Sequence, residues 1–161
     1  MKLLSFLSIT LFFFYGSFAQ SLSISGKVDG LADGDVLLGY YYGDKQYVKD
    51  TVQSVNGSFI FQSDEALEAG MYFMLLSDKN FFQLIIDSSQ VFSFHTSVKD
   101  LIGEMKITDS KENKLFYNYQ QFTQQKGIEV QPLKAELKTL DKDSKKRIKL
   151  ENKIKSRRPI T

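Results

Sequence analysis

Tyr47-Val48-Lys49-Asp50-Thr51-Val52-Gln53-Ser54-Val55-Asn56-Gly57-Ser58-Phe59-Ile60-Phe61-Gln62-Ser63 is the stretch that decides the fold class. Val48, Thr51, Val52 and Val55 favour extended backbone, because branched side chains pack well on a pleated surface. Asn56-Gly57 follows. Both residues tolerate the positive φ that a two-residue type I′ turn requires. Phe59 and Phe61 then lie two residues apart, on one face of a returning strand. The expectation is an antiparallel hairpin of residues 47–55 with residues 58–63.

The same pattern extends in both directions. Upstream, Leu22, Ile24 and Val28 alternate with Ser23, Ser25 and Lys27, the period of a half-buried strand. Residues 29–35 are rich in turn formers, and residues 36–42 form a second strand stopped by Gly43-Asp44. Downstream, strands are expected at 70–76, 81–86, 91–96 and about 102–108, with Asp78-Lys79-Asn80 and Ser88-Ser89-Gln90 as short turns. Such spacing leaves no room for crossover helices, which disfavours a parallel α/β sheet. The expected fold is mainly β: an antiparallel β-sandwich of about eight short strands followed by two C-terminal helices. Residues 71–76 and 81–86 are apolar almost throughout and are expected as central strands, covered on both faces. No long internal repeat points to a solenoid.

The C-terminal part changes period. Asp109 and Ser110 offer N-cap oxygens, and Glu112 falls in the first turn, where the helix dipole favours a carboxylate. Leu115, Phe116, Tyr119, Phe122 and Thr123 recur at helical steps, so a docking helix is expected, ended by Gly127. Pro132 can open a second helix, in which Leu133, Leu137, Leu140, Ile148 and Ile154 give a thin apolar seam. Ser144, Arg147 and Glu151 interrupt it. Residues 20–125 carry 8 basic and 14 acidic side chains, a net of −6, whereas residues 126–161 carry 12 and 5, a net of +7. The total of +2 hides an acidic body and a basic tail.

The chain begins with an address label. Met1-Lys2 is positive, Leu3 to Tyr15 is apolar apart from Ser5, Ser8 and Thr10, and Ser17 and Ala19 stand at the spacing that a signal peptidase reads. The run is shorter than the roughly 20 apolar residues of a membrane span. A signal peptide cleaved after Ala19 is expected, with no transmembrane segment left after cleavage. No Cys follows the small residues, so no lipoprotein anchor is expected. The expected organisation is residues 1–19 as leader, 20–108 as β-sandwich, 109–126 as docking helix, and 127–161 as a basic helical tail that begins a linker. The expected location is the periplasm or cell envelope of a Gram-negative bacterium.

The 161 residues contain no Cys and one His. Disulfides, thiolate nucleophiles, Cys-based zinc sites and paired-His metal sites are therefore excluded within this chain.

Several motifs carry a resemblance: Ile24-Ser25-Gly26-Lys27-Val28, Lys49-Asp50-Thr51-Val52 leading into Asn56-Gly57-Ser58-Phe59, Gly70-Met71-Tyr72, and residues 110–119 opening the helix. Over residues 22–123 the chain resembles domain-of-unknown-function family 4369, common in cell-envelope proteins of Bacteroidetes-type bacteria. The resemblance implies a small β-sandwich of the kind that often precedes a helical linker and a thioredoxin-like domain. This chain departs from the longer architecture: it stops before such a domain and lacks Cys-x-x-Cys. Thiol exchange requires a thiolate, so redox activity is not carried over. The family has no established functional residues to transfer.

The residues themselves offer few candidate sites. Asp29, Asp33 and Asp35 fail the calcium-loop pattern, since the third position from Asp29 is Leu31 and the twelfth is Tyr40. Tyr40 and Tyr42 share one face of a strand and could stack on a sugar ring or line a protein interface. They are the ligand-binding candidates. His95 has no acidic neighbour in sequence closer than Asp100 and reads as a surface residue. Gly-x-Ser-x-Gly, a phosphate-binding glycine loop and His-Glu-x-x-His are all missing. The expectations are therefore no catalytic residue, no metal and no cofactor. An envelope protein is the expected partner, nucleic acid is not, and the basic tail could touch acidic surfaces. A small-ligand or glycan-binding sandwich is the alternative.

Overall fold

The computed structural model describes residues 22–141 and 144–157. Eight strands precede two helices: β1 (Leu22–Asp29), β2 (Gly34–Tyr42), β3 (Lys45–Ser54), β4 (Ser58–Ser63), β5 (Gly70–Leu75), β6 (Phe81–Ile86), β7 (Val91–Ser97), β8 (Lys106–Thr108), α1 (Lys111–Lys138) and α2 (Lys145–Ser156). The strands form two four-stranded sheets, ordered β4-β1-β7-β8 and β3-β2-β5-β6. The leader and its cleavage site lie outside the described residues.

Alternation builds the core. On β1 every second residue is buried, and Ile24 and Val28 are fully enclosed with Val36, Leu38, Phe61, Met74 and Leu84 from both sheets. Gly26 faces Phe59 on one side and Phe94 on the other. The two rings occupy the space a Cβ would fill and meet edge-to-face with centroids 5.9 Å apart. A methyl there would force both phenyls aside.

The Asn56-Gly57 turn forms, but not the expected hairpin. Asn56 and Gly57 both have positive φ, and Val55 and Ser58 exchange backbone hydrogen bonds of 2.9 and 3.0 Å. Beyond that single bridge the strands part. β3 pairs with β2, and β4 pairs with β1 in the opposite sheet. The turn is a corner between layers. It is pinned to the start of the chain: Val28 N–H donates to the Gly57 carbonyl at 2.8 Å, Asn56 N–H to Asp33 Oδ1 at 2.7 Å, and Lys27 Nζ to the Asn56 carbonyl at 2.6 Å.

Three further expectations are corrected. The β1–β7 pair is parallel, so that sheet is mixed. The two strands are far apart in sequence, and no tight turn dictates their relative direction. The last strand is only three residues, because residues 101–104 turn instead of extending. Residues 81–86 form an edge strand, not a central one. That edge is covered by side chains of α1: Asn113 accepts the Ile85 N–H at 2.8 Å and donates to the Ile85 carbonyl at 2.7 Å, and the Tyr117 hydroxyl donates to the Gln83 carbonyl at 2.7 Å. An open row of backbone groups is thereby satisfied without a further strand. Burial pushes the Tyr117 phenol well above its ordinary pKa, so it remains a donor.

α1 starts as expected, with Ser110 capping Asn113 N–H at 3.2 Å. It does not stop at Gly127. It runs through Gly127 and Pro132 to Lys138, where Thr139 caps it. Gly127 is not left-handed, and Lys126 and Glu129 form an ion pair of 3.0 Å across it. Pro132 has no N–H to donate to the Ile128 carbonyl one turn back, and Ile128 is an exposed residue. The second helix is therefore α2 alone, which packs Leu150 and Ile154 on Val130. Arg147 Nη1 reaches back to the Leu137 and Leu140 carbonyls at 3.3 and 3.2 Å and closes the end of α1. No described helix is long and apolar enough to cross a membrane.

Candidate functional site

One concavity lies against the β3-β2-β5 side of one sheet, beneath the 64–69 loop. Tyr40 from β2, Lys49 from β3, Ala66, Leu67 and Glu68 from the loop, and Tyr72 from β5 line a cleft of about 340 Å³. Lys49, Ala66 and Leu67 also border a second hollow that reaches Leu22, Gln62 and Ser63.

Cross-strand register builds its aromatic wall. Tyr40 is opposite Tyr47 on one side and Tyr72 on the other. Tyr40 stacks on Tyr47 with centroids 5.6 Å apart, and meets Tyr72 at 6.1 Å. Tyr72 is buried, and its hydroxyl donates to the Glu68 carbonyl at 3.0 Å. Burial, with smaller contributions from Glu68 and Tyr40, raises its pKa, which keeps the phenol protonated. Lys49 sits at a bulge: Leu38 pairs with Asp50 and Gly39 with Val48, so Lys49 has no cross-strand partner.

The loop that roofs the cleft is clasped by one buried amide. Gln90 Oε1 accepts the Leu67 N–H at 2.8 Å, and its Nε2 donates to the Leu67 and Asp87 carbonyls at 2.8 and 3.1 Å. Gln90 thus does for residue 67 what a neighbouring strand would do. The result is a preformed hollow with phenol faces, one ammonium and the Glu68 carboxylate. Such a surface can stack against the apolar face of a sugar or a planar group and hydrogen-bond its edge.

The sequence candidates separate. Tyr40 lines the cleft. Tyr42 does not, and is 76% exposed. Tyr41, on the other face, packs edge-on against Phe73 at 5.3 Å and accepts from Gln83 Nε2 at 3.4 Å. The three aspartates of the first turn diverge. Asp29 meets His95 Nε2 at 2.8 Å, Asp33 holds the Asn56 turn, and Asp35 accepts from Gln53. Among the described residues no three His, Asp or Glu side chains are grouped to hold a metal ion. His95 does have an acidic neighbour, Asp29, brought to it by the parallel β1–β7 pair. Sequence reading missed Tyr47, Tyr72, Lys49 and Gln90, because only strand register places them together.

A family model described as "Domain of unknown function (DUF4369)" matches residues 22–116. The match takes in all eight strands and only the first turns of α1. No curated protein and no solved structure matches the chain.

Proposed function

We propose, from the premise that this chain belongs to the DUF4369 family, that it is a non-catalytic module of the cell envelope that holds or recruits a protein partner. The observation that carries this reading is the continuity of α1. Its first half is tied to the sandwich by side chains: Asn113 and Tyr117 on β6, Gln121 donating to the Ile102 and Met105 carbonyls at 3.0 and 2.8 Å, and Gln124 donating to the Asp100 carboxylate at 3.0 Å. Its second half projects beyond the sheets and carries α2. A helix of about 14 residues beyond Gln124 extends roughly 20 Å. Whatever engages this arm keeps a fixed relation to the sandwich.

The leader composition supports export. N-terminal sequencing of the mature protein should begin at Gln20. The partner is tested by photo-crosslinkers at Ile128 and Ile148, both exposed on the arm. A discrete envelope protein should be captured from these positions and not from Ser25 on the sandwich. Absence of any captured protein from the arm would refute the reading. The basic tail could add contact with an acidic surface of that partner; nucleic acid is not proposed as a ligand.

The Tyr40–Tyr72 wall beside Lys49 favours a second reading, a small-ligand or glycan site in the cleft. A glycan array with Tyr40→Ala and Tyr42→Ala decides it. Binding abolished by Tyr40→Ala and unaffected by Tyr42→Ala places the ligand in the cleft; binding indifferent to Tyr40 ends the idea.

A further inference from the structure

One apolar stripe runs along α1 on the side turned away from the sandwich. Leu115, Tyr119 and Phe122 lie on it at four- and three-residue steps, and Val130, Leu133 and Leu137 continue it. α2 covers the second half, where Val130 is 5% exposed. The first half is bare: Leu115, Tyr119 and Phe122 are 55, 53 and 47% exposed. Packed helices stand roughly 8–10 Å apart, so α2 rises by that height above α1. Those three side chains lie on the face of α1 that α2 covers further along, one helix height below it.

We infer that the occupant of this face is the same half of α1 from a second copy of this chain, packed antiparallel about a two-fold axis at Tyr119. The stripe is already a helix–helix interface over Val130, Leu150 and Ile154, and the second copy extends that seam. The flanking charges are self-complementary. Glu112 lies two turns before Tyr119 and Lys126 two turns after it. Antiparallel packing therefore sets Glu112 beside Lys126 of the partner subunit, and repeats the pair on the other side of the axis. Lys126 also pairs with Glu129, and its ammonium has donors enough for both carboxylates.

The charge division of the chain agrees. In this arrangement each basic α2 overhangs the N-terminal end of the other α1, beside Asp109 and Glu112 of the acidic body. Among the described residues Lys145, Lys149, Lys153 and Lys155 have no ion-pair partner. The carboxylates on the second half of α1 and on α2, Glu129, Glu136 and Glu151, are occupied by Lys126, Lys146 and Arg147. The inference stands apart from the partner and ligand proposed above, since its readout is self-association.

Sedimentation equilibrium of the full chain should show a dimer. Leu115→Asp and Phe122→Asp should each weaken it roughly tenfold or more, with melting of the far-UV circular dichroism preserved because both side chains are half-exposed in the monomer. The chain has no cysteine, so Tyr119→Cys gives one thiol per copy near the axis and should form a covalent dimer on mild oxidation. Ile128→Cys, exposed on the opposite side of α1, should not. Glu112→Lys and Lys126→Glu should each weaken the dimer and together restore it. A monomer at every concentration overturns the inference. So does a dimer indifferent to both aspartate variants, or crosslinking through Tyr119→Cys no faster than through Ile128→Cys.

Discussion

The sandwich encloses nineteen apolar residues in one cluster, drawn from six strands (all but β3 and β8), four positions in the connecting segments and Tyr117 of α1, whereas the arm encloses Val130, Leu150 and Ile154. The two regions are joined by α1, and the contacts on its two halves differ in kind. Its first half meets backbone groups of an edge strand and a loop through amides and a phenol. Its second half meets α2 through a small aliphatic seam, with the Arg147 bonds to the Leu137 and Leu140 carbonyls and the Lys146–Glu136 pair at the hairpin end. Hydrogen bonds to part-buried backbone fix the first half in register along a strand, while the arm has only a small apolar seam and contacts at one end. The sandwich should therefore unfold as a unit, and the arm should open locally at lower free energy.

The largest test of that contrast is Phe61→Ala. Phe61 is fully enclosed, and its truncation should cost about 3–5 kcal/mol. Both the tertiary near-ultraviolet signal and strand protection should fall in one transition. Asn113→Ala comes next, since it leaves the Ile85 N–H and carbonyl without partners, a loss of about 1–3 kcal/mol for each buried group. Hydrogen exchange should accelerate at Ile85 before it does at Ile24. If protection at Ile85 is unchanged, the helix does not seal that edge.

Ile154→Ala should do less, and only to the arm. α2 should lose protection while the sandwich keeps its melting temperature within the small shift expected of a distant site. A matching fall in sandwich stability would show that the two regions form one cooperative unit. The smallest effect concerns Asp100, which tests the dock itself. Hydrogen bonds from Gln124 and from the Gly103 N–H hold its carboxyl below the usual carboxylate range. The folded state thus binds this proton less readily than the unfolded chain. The contribution is present above the unfolded pKa and is lost as pH falls through the folded one. Because the group is exposed, solvent screens it and the change is slight. Asp100→Asn or Gln124→Ala should flatten stability between about pH 4 and the folded midpoint, measured by urea titration at several pH values.

Much of the architecture was legible. Alternation in residues 22–28, the positive-φ pair Asn56-Gly57 and the Ser110 cap each express a preference held within a few residues. The family motifs at residues 24–28, 56–59 and 110–119 fall in these segments too. What was misread depended on distant partners. Gly127 and Pro132 are helix breakers in isolation, yet α2 and the Lys126–Glu129 pair hold the helix across them. Asn56-Gly57 makes its turn, yet β1 and β2 claim the strands on either side of it. Of the candidate site, Tyr40 could be named from sequence, while Tyr72, Lys49 and Gln90 could not, because register and the bulge at Lys49 bring them together.

The sequence by itself determined where the chain is extended, where it turns and where it becomes helical, since dihedral preference and side-chain period act over a few residues. Only the tertiary structure decided which strand lies beside which, that one pair runs parallel, and that α1 serves as the seal of a sheet edge. Those outcomes rest on competition among far-separated apolar faces and unpaired backbone groups, and no local window of the chain contains both competitors.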